Sequence, residues 1–517
     1  MNSVIFECMR TRHAINNILL QTITLVSGIV LYFFITPFIV EKLGNEGYGI
    51  NQLLLQTIGY FGIAEMGVGI SLSVLLYKEL ANNATDNINA LLSAAQRVYL
   101  FIGFSIAVAG GVFSFYLTDI FSIAQTYKPE THAAFLLYLS TAVLTYCFGV
   151  PGILLNTSQK GYKTYIYQLL KPFLTYGGYA FVVYKGYSIA GIAFVSFVLS
   201  VWHLIAVNRK ARAEFPWMNI WFSQKNYAIV QTSKYVFVEK VLMLVLFQTD
   251  VILISYFLGV GEVTGYALYT VFFYYIKELI LIGSNNIVNG AGELYQEGGN
   301  GVYLLWRDSM SIVFFIATQV CVGIYFLFPY FFNLWISDSL LLSQTILLFF
   351  VINLFHIITL HPTVMIVSSQ NYYKKRISGS VAEIVLNVVI SCILIPRIGI
   401  VGALIGTALG HYCVNAWFIP MLFFQSIKKS FKQYIGIFIS YISILMIVAL
   451  GNYFYFKYVL VPVLNNITHW GAFVLAVLLY IVVSVPFSLG LYYFLDPNYT
   501  NAVQRIRGIF LLLKRGK

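Results

Sequence analysis

The chain of 517 residues is 59% hydrophobic and only 10% charged, with a formal net charge of +12 at pH 7. A soluble globular chain carries about 25% charged residues, so this one cannot cover its apolar surface in water and needs lipid as its solvent. The composition excludes an ordinary soluble enzyme, and in a membrane protein the positive balance points to an anionic lipid surface, with no nucleic acid as partner.

From the N-terminus, Arg10 and Arg12 precede a long apolar run that lacks a small-residue cleavage pattern and reaches Pro37, so it reads as a retained first span. Further runs follow, giving about fourteen spans of roughly 20 residues, the length a bilayer core requires. They are predicted near 14–40, 48–76, 94–118, 132–156, 164–184, 186–207, 234–258, 263–288, 308–334, 340–368, 377–396, 398–424, 434–456 and 466–495. Continuous apolar runs of this length suit helices rather than barrel strands, because backbone groups in lipid must be satisfied within the segment. The fold class expected is therefore all-α and polytopic. Cys8, Cys147, Cys321, Cys392 and Cys413 show no CxxC spacing, so neither a disulfide framework nor a metal site is implied.

The connecting segments carry a one-sided charge. With the N-terminus in the cytoplasm, most of the 31 basic residues fall on the cytoplasmic side, and only Lys42, Lys128, Lys185, Arg397 and Lys457 fall outside. That bias predicts both termini in the cytoplasm and an even number of spans.

The sequence also repeats itself. "PGILLNTSQKGYK" at 151–163 matches "PTVMIVSSQNYYK" at 362–374 at a constant offset of 211 residues, and Gly191 in "GYSIAGIA" matches Gly402 in "RIGIVGAL" at the same offset. A third echo pairs "LGNEGYG" at 43–49 with "LGVGEVTGYA" at 258–267, shifted by a few residues. An even number of spans separates the copies, which predicts two parallel six-helix repeats, with spans 13 and 14 outside the repeat. The predicted organisation is an N-terminal bundle over 1–207, a cytoplasmic interfacial linker over 208–233, a second bundle over 234–424, the extra helices over 425–495, and a basic amphipathic cytoplasmic tail over 496–517. Pro216, Trp217 and Trp221 suit the linker to the membrane surface, and Asp496-Pro497 reads as an N-cap and first-turn pair opening the tail helix.

Ionisable groups within spans cost about 2.5–3.5 kcal/mol each on insertion scales and usually face a cavity or a partner. They are Glu65 in span 2, Lys171 in span 5, Glu239, Lys240 and Asp250 in span 7, Lys277 and Glu278 in span 8, and Glu383 in span 11. Glu239 and Asp250 are about three helical turns apart and share a face. Lys277 shares a stripe with Thr270 and Ser284, with Tyr274 nearby, and Asn17, Gln21, Thr24 and Gly28 form a polar stripe on span 1. The repeat makes spans 1 and 7 equivalent, and likewise spans 2 and 8, so their polar faces are expected to line a groove between the halves. The competing reading lets Lys171, Glu239, Lys240 and Glu383 snorkel to the cytoplasmic surface and makes Lys277 and Asp250 a structural ion pair. His356, His361 and His411 lack ligand spacing and read as helix-packing hydrogen bonders.

No phosphate-binding G-x-x-x-x-G-K-[ST] motif occurs, and the outer loops are short, so the chain reads as a non-enzyme. "QTDVILISYFLGVGEVTGYALY" at 248–269, "FGIAEMGVGISL" at 61–72 and "EKLGNEGYG" at 41–49 resemble the polysaccharide transport branch of the multidrug, oligosaccharidyl-lipid and polysaccharide exporter (MOP) superfamily. The resemblance implies a flippase of the bacterial cytoplasmic (inner) membrane for an undecaprenyl-pyrophosphate-linked oligosaccharide, such as an O-antigen or capsular repeat unit. It also implies a central cavity with alternating access. Related lipid II flippases line that cavity with arginines in spans 1, 2 and 8; here span 1 has none and span 8 offers Lys277, which argues against lipid II itself.

The expected site places Lys277 first and Lys240 second on the pyrophosphate, with Asn17, Gln21, Thr24, Tyr274 and Lys171 completing the substrate-binding set. Asp250, Glu239, Glu65 and Glu278 form the charge-pairing set, which holds the lysines or binds a coupling H⁺ or Na⁺. No cofactor is expected. The expected partners are the lipid-linked substrate, the anionic inner leaflet, and polysaccharide polymerase and chain-length machinery. The alternatives are a drug or cation antiporter of the same fold, and a membrane-embedded polymerase or transferase.

Overall fold

The structure is a computed structural model, and it describes residues 2–61, 63–158, 160–221, 249–284, 299–369, 373–461, 469–496, 498–501 and 503–504. Regular structure among the described residues is entirely helical, and ten of the helices are long and apolar enough to cross a membrane. The protein is an all-α polytopic membrane protein. Helices Ile63–Ala81, Tyr165–Tyr184 and Val260–Ser284 fall at the expected spans 2, 5 and 8, and Thr249–Leu258 is the described end of span 7.

By packing, the chain divides into Met1–Ala267 and Leu268–Lys517, and the division falls inside helix Val260–Ser284. Within the first unit, helix Asn2–Phe61 packs on Tyr165–Tyr184, Ile63–Ala81 on Thr85–Ile120, and Lys128–Phe148 on Ile189–Glu214. The first part of the expected linker stays helical to Glu214; Asn89 then holds the chain beyond it, donating to the Trp217 carbonyl at 3.1 Å and accepting from the Asn219 amide at 2.8 Å. Residues 222–233 of that linker lie outside the described residues.

Two repeated sequence elements have matching backbones. The Leu-Gly of "LGNEGYG" kinks Asn2–Phe61 at Gly44, where φ is +69°, and the Leu-Gly of "LGVGEVTGYA" separates Thr249–Leu258 from Val260–Ser284 at Gly259, where φ is +92°. Glycine reaches this left-handed region without a Cβ penalty. The tight turns expected between spans 5 and 6 and between 11 and 12 are present, and the helices that follow start at Ile189 and Ile400, again 211 residues apart.

Span 4 is not continuous. Pro151 has no N–H to give the Cys147 carbonyl four residues earlier, and the helix breaks at Gly149 between Lys128–Phe148 and Val150–Thr157. The freed carbonyls are claimed by neighbours: Gln96 Nε2 donates to Cys147 O at 2.9 Å, and Asn208 Nδ2 to Phe148 O at 2.9 Å. The second copy tolerates Pro362 inside the unbroken helix Gln344–Ser369.

In the second unit, helix Tyr373–Ile398 lies along Ile400–Gly410. Gly402, Gly406 and Gly410 repeat every four residues on the facing side, the small-residue spacing that lets membrane helices approach closely. A Cβ built at Gly406 would stand 2.2 Å from Ser391 Oγ and 2.8 Å from the Asn387 carbonyl. The extra helices Lys432–Tyr455 and Trp470–Leu495 pack on Gly299–Trp335. Asp496 caps the start of the tail as its sequence suggests, accepting from the Asn498 amide at 2.9 Å, and it also accepts the Ser311 hydroxyl. The rest of the tail, 505–517, lies outside the described residues.

Gly406→Leu is expected to lower the stability of the detergent-solubilised protein by about 1–3 kcal/mol or more, the range for overpacking. Gly436→Leu, which meets nothing within 4 Å, is expected to change it by no more than about 0.5 kcal/mol. Thermal unfolding of the two variants compares them directly.

Candidate functional site

Helix Val260–Ser284 positions three of the expected site residues together. Aromatic packing fixes it within the second unit: the Tyr269 and Phe328 rings lie 4.7 Å apart, edge to face, and Phe273 stacks on Phe350 at 5.0 Å. One turn further on, Lys277 Nζ is 3.0 Å from Glu278 Oε1 and 4.6 Å above the centre of the Tyr274 ring. The Lys277 side chain is 19% exposed, so its ammonium is largely withdrawn from the surroundings. Carboxylate and ring together compensate that cation. His361, on Gln344–Ser369, is near enough to feel the charges of both Lys277 and Glu278.

In the first unit Asp250 is buried and accepts a hydrogen bond from the Tyr266 hydroxyl at 2.9 Å. Its neighbour Thr249 bonds the Tyr60 hydroxyl at 2.6 Å. The Asp250 contact is thus with a phenol on the next helix, across the Gly259 turn. Thr24 is half-buried, and its carbonyl accepts the Ser27 hydroxyl at 2.9 Å. Lys171 lines a separate cavity within the first unit. Glu239 and Lys240 lie outside the described residues, and Asn17, Gln21 and Glu65 are described only as helix backbone.

The close packing of spans 11 and 12 produces a polar cluster that the sequence did not announce. Glu383 does not snorkel: it is 2% exposed, its Oε1 lies 2.7 Å from His411 Nδ1, and its Oε2 accepts from Asn415 Nδ2. The His356 ring stacks on His411 at 4.7 Å, and Asn387 donates to Thr407 Oγ1 at 2.8 Å. His411–Asn415 forms a π-helical turn, the wider winding that places His411 and Asn415 on one carboxylate. Glu383 and Asn387 at i and i+4, facing the Gly402–Gly410 ladder, are the one sequence signal that could have pointed to this cluster.

At the mouth of span 5, Glu214 pairs with both Lys160, at 2.7 Å, and Lys163. The hydrogen bond to Glu214 holds the Lys163 ammonium above its ordinary range. Among the described residues no cluster of His, Cys, Asp and Glu has the make-up of a metal site.

The fold has counterparts among solved structures of membrane transporters. A lipid II flippase, MurJ, in an inward closed conformation aligns with a TM-score of 0.66 at 14% identity, over 94% of this chain and 99% of that one. An inward-facing multidrug resistance MATE family transporter of the MOP superfamily aligns at 0.62 and 15% identity, over 78% of this chain and 93% of that one. A MOP superfamily transporter from Pyrococcus furiosus aligns at 0.59 and 13% identity, over 80% of this chain and 96% of that one. The chain shares the fold of these proteins. No protein-family model matches it, and neither does any curated protein.

Removing one partner of a buried hydrogen bond leaves the other unsatisfied, at a cost of about 1–3 kcal/mol or more, whereas replacing both by apolar residues is often nearly neutral. His411→Leu is therefore expected to destabilise the protein more than the double change Glu383→Leu with His411→Leu. A double-mutant cycle by thermal unfolding checks this, and additive effects would contradict it.

Proposed function

We propose that the protein is a flippase that moves an undecaprenyl-pyrophosphate-linked oligosaccharide, such as an O-antigen or capsular repeat unit, from the cytoplasmic to the outer leaflet. It is a carrier and not an enzyme, it works by alternating access through a cationic cavity, and it resides in the bacterial inner membrane with both termini in the cytoplasm. The observation that carries the reading is Lys277, a largely buried ammonium inside an apolar helix, balanced by Glu278 and the Tyr274 ring. Such a cation gains most from a phosphate anion, because charge-assisted bonds strengthen where water is scarce. The alignment with the lipid II flippase over 94% of the chain supports the reading, since the multidrug transporter with an inward-facing structure matches over 78%.

In this mechanism the pyrophosphate exchanges with Glu278 at Lys277, while Lys240, Asn17, Gln21 and Thr24 add contacts to phosphate or sugar. Asp250, Glu239 and Glu65 stabilise the unloaded state or bind H⁺ or Na⁺. An inside-negative potential contributes about 2.3 kcal/mol per 100 mV for each negative charge moved outward. Polymerase and chain-length machinery are the expected partners on the outer side.

The test is leaflet exchange of a fluorescent undecaprenyl-pyrophosphate-linked oligosaccharide in proteoliposomes. Lys277→Ala is expected to reduce exchange at least tenfold with unchanged gel-filtration behaviour, and Lys277→Arg to keep part of it. Exchange at the wild-type rate in Lys277→Ala contradicts the assignment. Efflux of a lipophilic cation by the wild-type protein, with no lipid exchange, favours the antiporter.

A further inference from the structure

Lys171 lies six residues into helix Tyr165–Tyr184, about 9 Å along its axis. It lines a cavity of about 270 Å³ among spans 4, 5 and 6, together with Asn156, Thr164, Gln168, Ser200 and His203. Among the described residues, no carboxylate lines this cavity. Glu214, at the end of the helix that carries His203, is already held by Lys160 and Lys163. His203 is close enough to feel the Lys171 charge, and its Nδ1 is enclosed without a hydrogen-bond partner. Cationic and neutral hydrogen-bonding groups thus converge where an ammonium is costly to bury without a counter-charge.

A second, apolar groove of about 380 Å³ adjoins the cavity and shares Phe148 and Leu204 with it. Leu144, Val201 and Ile205 line it, and Arg209 and Arg212 stand on its rim. The break at Gly149 and Pro151 shapes the polar space, which Gly149 and Gly152 line.

We propose that this pair of spaces is a binding site for a lipid phosphate: the phosphate is held by Lys171 and His203, and the first part of its hydrocarbon chain lies in the groove between spans 4 and 6. A phosphate supplies the missing negative charge and accepts from Lys171, Gln168 and His203. The adjoining apolar groove gives the chain of a lipid a place that inorganic phosphate does not use. The proposal does not depend on what the protein transports.

The experiment is photolabelling of the purified full-length protein with a diazirine-bearing farnesyl phosphate, mapped by peptide mass spectrometry. Adducts are expected within 144–156 and 200–209. Lys171→Met is expected to reduce labelling there at least tenfold and Lys171→Arg to retain it, with both variants unfolding at the wild-type temperature. Equal labelling of Lys171→Met and wild type, or adducts confined to other spans, overturns the proposal. Inorganic phosphate is expected not to compete at equal concentration; if it does, the site takes the free anion and the lipid assignment falls. Lys277→Ala is expected to label as wild type here, so a failure of the flippase reading and a failure of this site give different results.

Discussion

A charged or hydrogen-bonding group that enters the bilayer is costly without a partner, and this constraint organises the molecule. It selects helices throughout, because only a helix satisfies its own backbone along an apolar run. It also dictates what happens where the helix fails. The carbonyls released at Gly149 and Pro151 are met by Gln96 and Asn208 from two other helices, so a local interruption becomes a tertiary joint.

The same rule governs the ionisable side chains. Glu383 meets His411 and Asn415, Lys277 meets Glu278 and the Tyr274 ring, and Asp250 meets Tyr266. These contacts differ in kind. Glu383, His411 and His356 are buried and held by close glycine packing, as a structural element is. Lys277 keeps some exposure and is paired with a carboxylate of its own helix. That difference makes Lys277 the better candidate for a transient anion.

The spans were legible because lipid imposes length and hydropathy residue by residue, and the repeated Leu-Gly elements were legible because a left-handed turn demands glycine. Lys277 stood out for the same energetic reason, being a charge within an apolar run. The break in span 4 was not legible, although Pro151 was in view. Its tolerance depends on Gln96 and Asn208, whose distance in sequence hides their contact, and Pro362 in the matching stretch leaves its helix unbroken. The contact of Asp250 with Tyr266 across the Gly259 turn was not legible either, because neither face analysis nor charge pairing encodes it. The Glu383–His411 contact was hidden until the glycine ladder set the register of two helices.

The central claim is that an anionic lipid headgroup crosses the bilayer along positively charged groups of this chain. The most direct measurement is the rate of headgroup movement in proteoliposomes under an imposed membrane potential, read by quenching of the fluorescent lipid-linked oligosaccharide in one leaflet. The account predicts that the rate rises when the destination side is made positive and falls when the potential is reversed. Movement that ignores the sign of the potential, or no movement above protein-free vesicles, would contradict it.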